Sequence, residues 1–199
     1  MQEQATPQPL NDVPPIRYAY RASLIGAAHQ FELTEAGLSW QLHRRQAVWR
    51  YEDISAVRLS YRPVSMQAHR FRADIRHIKD GRFSIFSTSW QTAALMAPQD
   101  QDYRAFIMAL HERMAKAGSR AELSGGLGRK TYAAALALLA SVGLMMFGLF
   151  VRALAIGAWA GVLFLIGFAA LFGWQVGGWI RRNRPITYSF GHIPEALLP

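Results

Sequence analysis

Arginines supply the chemistry that is most concentrated in this sequence. Arg58 and Arg62 sit on one stretch with alternating polarity. Arg70, Arg72 and Arg76 sit on the next, relieved only by Asp74. Residues of like parity in a strand point to one face, so antiparallel pairing of the two stretches would gather five guanidiniums on one sheet face. Lys79 and Arg82 flank the turn that follows. A guanidinium grips phosphate or carboxylate through paired N–H donors. The expected ligand of such a face is therefore an anion: a lipid headgroup or an acidic partner. A solvated face on a basic protein is the plainer alternative.

The residue types that usually carry catalysis are missing or badly spaced. There is no cysteine, which removes a thiol nucleophile, a thiolate metal site and a disulfide framework. The histidines are His29, His43, His69, His77, His111 and His192, and no pair has the His-Glu-x-x-His spacing. Glu52 and Asp53 are neighbours and would point to opposite faces of a strand. No Gly-x-Ser-x-Gly elbow occurs. Gly125-Gly-Leu-Gly-Arg-Lys-Thr131 superficially resembles a phosphate loop, but Arg129 separates Gly128 from Lys130 and Leu occupies position 123. The expectation is a protein that is not an enzyme, with no metal and no cofactor. Nucleic acid is not an expected partner, because the basic stretches match no recognisable DNA- or RNA-binding motif.

The elements that must position the arginines fall into two unlike parts. The chain has 199 residues, with 22 Lys and Arg against 13 Asp and Glu. Residues 1–130 hold 18 of the basic and 12 of the acidic residues. Thr131 to Val151 is 21 residues without a charge, and Ala153 to Ile180 is 28 more. About 20 apolar residues suffice for a helix to cross a bilayer core of about 30 Å. Two transmembrane helices are expected over 131–151 and 158–180, joined by an external turn at 152–157. Arg129 and Lys130 precede the pair, Arg181, Arg182 and Arg184 follow it, and only Arg152 lies in the turn. Basic residues stay cytoplasmic, so both termini are expected inside. Tyr132 and Trp179 stand where interfacial anchors stand. Gly157 and Gly161, then Gly173 and Gly177, form an i+4 ridge suited to close helix packing, within the hairpin or against another subunit.

Ahead of the apolar runs, residues 16–118 read as about seven short strands and a helix. Ile16 to Leu24 alternates, His29–Leu33 and Leu38–Leu42 flank a turn ending in Gly37, and Ala47–Tyr51, Ile54–Tyr61, Phe71–Ile75 and Arg82–Thr88 follow, the last two around Asp80-Gly81. Tyr103, Phe106, Ile107, Leu110 and Met114 form one helical stripe, stopped at Gly118; His111 is expected at the surface. Residues 1–15 read as a flexible leader, 119–130 as a linker and 181–199 as a cytosolic tail, in which Ile186, Tyr188 and Phe190 alternate and could join a sheet edge.

His29-Gln-Phe-Glu-Leu-Thr-Glu-Ala-Gly-Leu38, the Arg44-Arg45 turn and Trp49-Arg-Tyr-Glu-Asp-Ile-Ser-Ala-Val57 resemble the bacterial pleckstrin-homology-like (PH-like) domains, most closely at Tyr51-Glu-Asp-Ile54. The resemblance spans roughly residues 16–117. It implies an α+β membrane protein in which an antiparallel β-barrel, closed by a C-terminal helix, precedes a two-helix hairpin. It also implies a binding or assembly role without a catalytic set. This sequence departs from that pattern in its Arg-rich strands and in preceding a membrane pair. The functional expectation is a non-catalytic recognition or scaffold module in the bacterial inner membrane. It would present the basic domain to a protein partner, a second copy or anionic lipid headgroups. The alternative is an accessory subunit assembled through the hairpin.

Overall fold

A computed structural model describes residues 15–61, 70–92 and 95–199. Four strands form one antiparallel sheet in chain order: β1 (Ile16–Tyr20), β2 (His29–Leu33), β3 (Leu38–Leu42) and β4 (Arg45–Trp49). A single 3-10 turn at Tyr51–Asp53 leads into a second sheet. Here β5 (Ile54–Tyr61), β6 (Phe71–His77) and β7 (Arg82–Phe86) are antiparallel neighbours. A hairpin of β8 (Thr88–Thr92) and β9 (Leu95–Pro98) precedes helix α1 (Asp100–Lys116). Strand β10 (Glu122–Gly125), helices α2 (Arg129–Ala155) and α3 (Trp159–Arg182), and strand β11 (Ile186–Thr187) complete the fold.

The alternating patterns bury the faces they imply. Val57, Leu59 and Tyr61 point inward from β5, and Phe71, Ala73 and Ile75 from β6. The stripe of α1 is buried along its length, against Tyr18 and Phe31 among others. Gly37 closes the β2–β3 turn with φ +148°, where a Cβ would lie 2.2 Å from the Trp49 carbonyl oxygen. Only glycine fits there.

The strands do not close into a barrel. Among the described residues no ladder joins β1 to β7. Side chains bridge that seam instead: the Tyr18 hydroxyl donates to the Phe86 carbonyl at 2.6 Å and the Tyr20 hydroxyl to the Ser84 carbonyl at 2.7 Å. Burial pushes both phenols far above the ordinary value of 10, which keeps them neutral donors. The expected first strand stops at Tyr20, and Leu24 is exposed. The expected last strand breaks at Ser87, which is buried: its amide donates to the Phe71 carbonyl, and its Oγ accepts from the Phe71 amide.

The larger departure is in the segment expected as a linker. There β10 pairs in parallel with β5, placing Leu123 beside Val57 and Gly125 beside Leu59, and β11 pairs antiparallel with β10. The second sheet thus has the order β11-β10-β5-β6-β7. Both ends of the apolar helix pair are stitched to the Tyr61 end of β5. The Gly126 amide donates to the Leu59 carbonyl, and the Leu127 amide to the Asn183 carbonyl. The Ile54 end of β5, with the β6–β7 turn, lies away from the helices.

Helices α2 and α3 are long and apolar enough to cross a membrane, with mean hydropathy 2.4 and 1.8. Their 27 and 24 residues span about 40 and 36 Å. The turn between them is shorter than expected, because Arg152 continues α2 and Gly157 (φ +70°) makes the reversal.

Candidate functional site

The register of β5 and β6 decides what the arginine face is. Arg58 stands opposite Asp74, Ser60 opposite Arg72, and Ala56 opposite Arg76. Asp74 is the hub. Arg72 reaches its Oδ1 through Nε at 2.7 Å and Nη2 at 2.5 Å, and the Ser84 hydroxyl donates to the same oxygen at 2.6 Å. The Arg70 guanidinium lies 3.8 Å from the centroid of the Phe86 ring, and that of Arg72 5.7 Å from it. Arg76 is exposed and pairs across the ladder with exposed Arg82. Arg72 and Arg76 are four residues, or about 13 Å, apart along the strand. The cations therefore share a face but form two groups, one at each end of it. Arg62 lies outside the described residues.

The group at the Tyr61 end meets the apolar helices. Arg58 donates from Nε to the Ser124 hydroxyl at 3.3 Å, and a Cβ built on Gly128 would lie 3.4 Å from Arg58 Nη1, one residue before α2 begins. The Arg182 guanidinium lies 5.0 Å from the Tyr61 ring centroid. Arg129, Lys130, Arg181 and Arg184 are exposed around the same junction. With Asp74 the carboxylate opposite Arg58, these residues form a cationic collar around the point where the chain enters the apolar helices.

The tail locks this junction. Asn183 is fully buried, and its Nδ2 donates to the Trp179 carbonyl at 3.1 Å. Leu197 and Leu198 are buried against the domain, and Arg104 donates to the Pro199 oxygen at 2.9 Å. His111, expected at the surface, is buried beneath the tail. Its Nδ1–H donates to the Ile107 carbonyl at 2.7 Å, which leaves Nε2 to accept from the Tyr188 hydroxyl at 3.0 Å. Burial lowers its pKa from the ordinary 6.5, favouring this neutral form.

At the opposite end of the domain three turns surround a cleft of about 680 Å³. Its floor holds Trp40, Leu42 and Phe83, and its rim holds Arg44, Arg45 and Arg82, with Asp80 the one carboxylate. Arg45 lies 6.0 Å from the Trp40 ring centroid. His43, in the turn beside Arg44, is the one non-glycine residue with positive φ (+53°) among the described residues. His43-Arg44-Arg45 reads in the sequence only as a polar turn; its convergence with Arg82 depends on how the two sheets pack.

The glycines of the helix pair are placed unevenly. Gly157 turns the chain, and a Cβ at Gly161 would meet Ala153 and Ala158 at 3.9 Å. At Gly173 and Gly177 it would meet nothing within 4 Å. Among the described residues no group of three or more His, Asp or Glu is placed to hold a metal ion. No protein-family model matches the chain, and neither does any curated protein or solved structure.

Proposed function

We propose that this protein is a non-catalytic recognition module of the bacterial inner membrane, with both termini cytoplasmic. Its helix pair would hold a PH-like domain, residues 16–118, with the collar end against the anionic face of the bilayer. The observation that carries this reading is Arg58 seated beside Gly128, within the collar formed with Arg129, Lys130, Arg181, Arg182 and Arg184. Each cation near an anionic leaflet contributes about 1 kcal/mol of attraction, and cations gather on the cytoplasmic side of spanning helices. The succession of four antiparallel strands, three more and, after the short β8–β9 hairpin, a helix packed on the core supports the PH-like reading. Membrane lipid is then the first partner and a protein the second.

The absence of cysteine makes the test clean. A single cysteine at exposed Thr187, in the collar, carries a donor dye, and the full-length protein is placed in nanodiscs containing an acceptor-labelled headgroup. Energy transfer is expected to be higher with phosphatidylglycerol than with neutral lipid. The difference should disappear at high salt and in Arg58→Glu/Arg182→Glu. Equal transfer in both bilayers at low salt rejects the docking.

A further inference from the structure

We propose that the cleft at the far end of the domain binds an acidic segment of a partner protein, seating one apolar side chain between its arginines. This deepens the recognition reading above and rests on it.

The floor and rim ask for an amphipathic anion. Trp40, Leu42 and Phe83 offer an apolar and largely aromatic base, which favours a flat or branched hydrocarbon group. Arg44, Arg45 and Arg82 outnumber Asp80 at the mouth, and all three arginines are exposed. Asp80 is itself turned towards His77, with 3.4 Å between its Oδ2 and His77 Nδ1. A ligand with carboxylates on both sides of an apolar group satisfies both features. The volume, about 680 Å³, accommodates one large side chain and its neighbours.

Position separates a protein segment from a headgroup of the protein's own bilayer. The cleft adjoins the β6–β7 turn and the Ile54 end of β5, whereas α2 and α3 attach at the Tyr61 end. The eight residues of β5 hold these ends roughly 23 Å apart. Beside the cleft runs β4, the edge of the first sheet, which pairs only with β3 among the described residues. Val48 on that edge is 54% exposed. An extended peptide adds to such an edge through main-chain hydrogen bonds and drops alternate side chains into neighbouring pockets. An edge strand leading into a basic-rimmed apolar cleft has the features of that mode.

The test uses the full-length protein in neutral nanodiscs and a dye-labelled pentapeptide with a phenylalanine between pairs of glutamates. Counterparts carry lysine for glutamate or serine for phenylalanine. The acidic phenylalanine peptide is expected to bind. The lysine peptide should not, and the serine peptide should bind at least tenfold more weakly. Arg44→Glu/Arg82→Glu should weaken binding at least tenfold, and the milder Arg44→Gln/Arg82→Gln should do so in part. Near-ultraviolet circular dichroism confirms that each variant is folded.

Three results overturn the proposal: no binding at millimolar peptide, equal binding of the phenylalanine and serine peptides, or displacement by inorganic phosphate or short-chain phosphatidylglycerol as effective as by unlabelled peptide. The last would make the cleft an anion or lipid site. Both arginine pairs are also assayed for bilayer docking, which they should leave intact. Loss of peptide binding with docking retained assigns the cleft; loss of docking in unmutated protein rejects the membrane reading instead.

Discussion

At the residue scale, single side chains convert pattern into geometry. Gly37 shows how tightly the first sheet is set, because the carbonyl of Trp49 occupies the space of its missing Cβ. Gly37→Ala is expected to destabilise the domain by about 2 kcal/mol or more, combining the positive-φ cost with a clash against main chain. Gly81, with φ +87° and nothing within 4 Å, serves as the control, and Gly81→Ala should cost only about 1 kcal/mol. Chemical denaturation of the two variants in detergent measures the gap, and equal losses would mean that strand β4 moves aside easily. Gly37 was legible as a turn residue from its neighbours. The contact with Trp49 was not, because it depends on β3 and β4 meeting in register.

At the element scale, the departure of most consequence is the stitching of β10 and the tail onto the domain. The seam between α1 and the tail includes the His111–Tyr188 hydrogen bond, and it responds to pH. Above about pH 6.5 His111 is neutral whether or not the tail is docked. Below that value a released His111 takes up a proton that the buried one resists, so docking loses free energy as pH falls, by at most about 1.4 kcal/mol per pH unit. The loss levels off once the buried histidine also titrates. The protection factor of the Tyr188 amide, bonded to the Leu123 carbonyl, should therefore fall between pH 7 and pH 5 once the slower intrinsic exchange at low pH is divided out. His111→Gln should flatten that response. Unchanged protection in the native protein would show that the tail stays docked when His111 is charged. The apolar stripe of α1 was readable from its spacing. The burial of His111 beside it was not, since the tail that covers it comes from 77 residues further along.

At the scale of the whole molecule, charge and apolar surface are sorted along one direction. The cationic collar lies at the attachment of α2 and α3, and the arginine-rimmed cleft lies at the opposite end of β5. The helix pair carries most of the exposed large apolar side chains, and Gly173 lines an open groove between the two helices with Leu139, Val142 and Phe172. Gly173→Leu adds a side chain where nothing lies within 4 Å. It is expected to leave the melting temperature of the isolated protein in detergent unchanged. A lower melting temperature would place Gly173 inside the hairpin contact. Altered cross-linking between copies in the membrane, with melting unchanged, would place it on an assembly surface.

Local patterns determined a good deal of this protein. Two long uncharged runs define two apolar helices because the requirement is one of length and composition. Period-two alternation identifies the inward residues of β5 and β6, and glycine-bearing turns locate the β2–β3 and β6–β7 hairpins. Only the tertiary structure decided that the segment after α1 is a parallel strand, that the tail returns to cover it, and that the seam between β1 and β7 is bridged by tyrosine hydroxyls. Each of these joins residues far apart in the chain, and parallel pairing leaves no turn signal to announce it. Register also divided the arginine face, by setting Asp74 against Arg58 and Arg72 and leaving Arg76 beside Arg82. A slip of one residue would have turned these side chains to the other face, and the energy that prevents it comes from the core beneath the sheet.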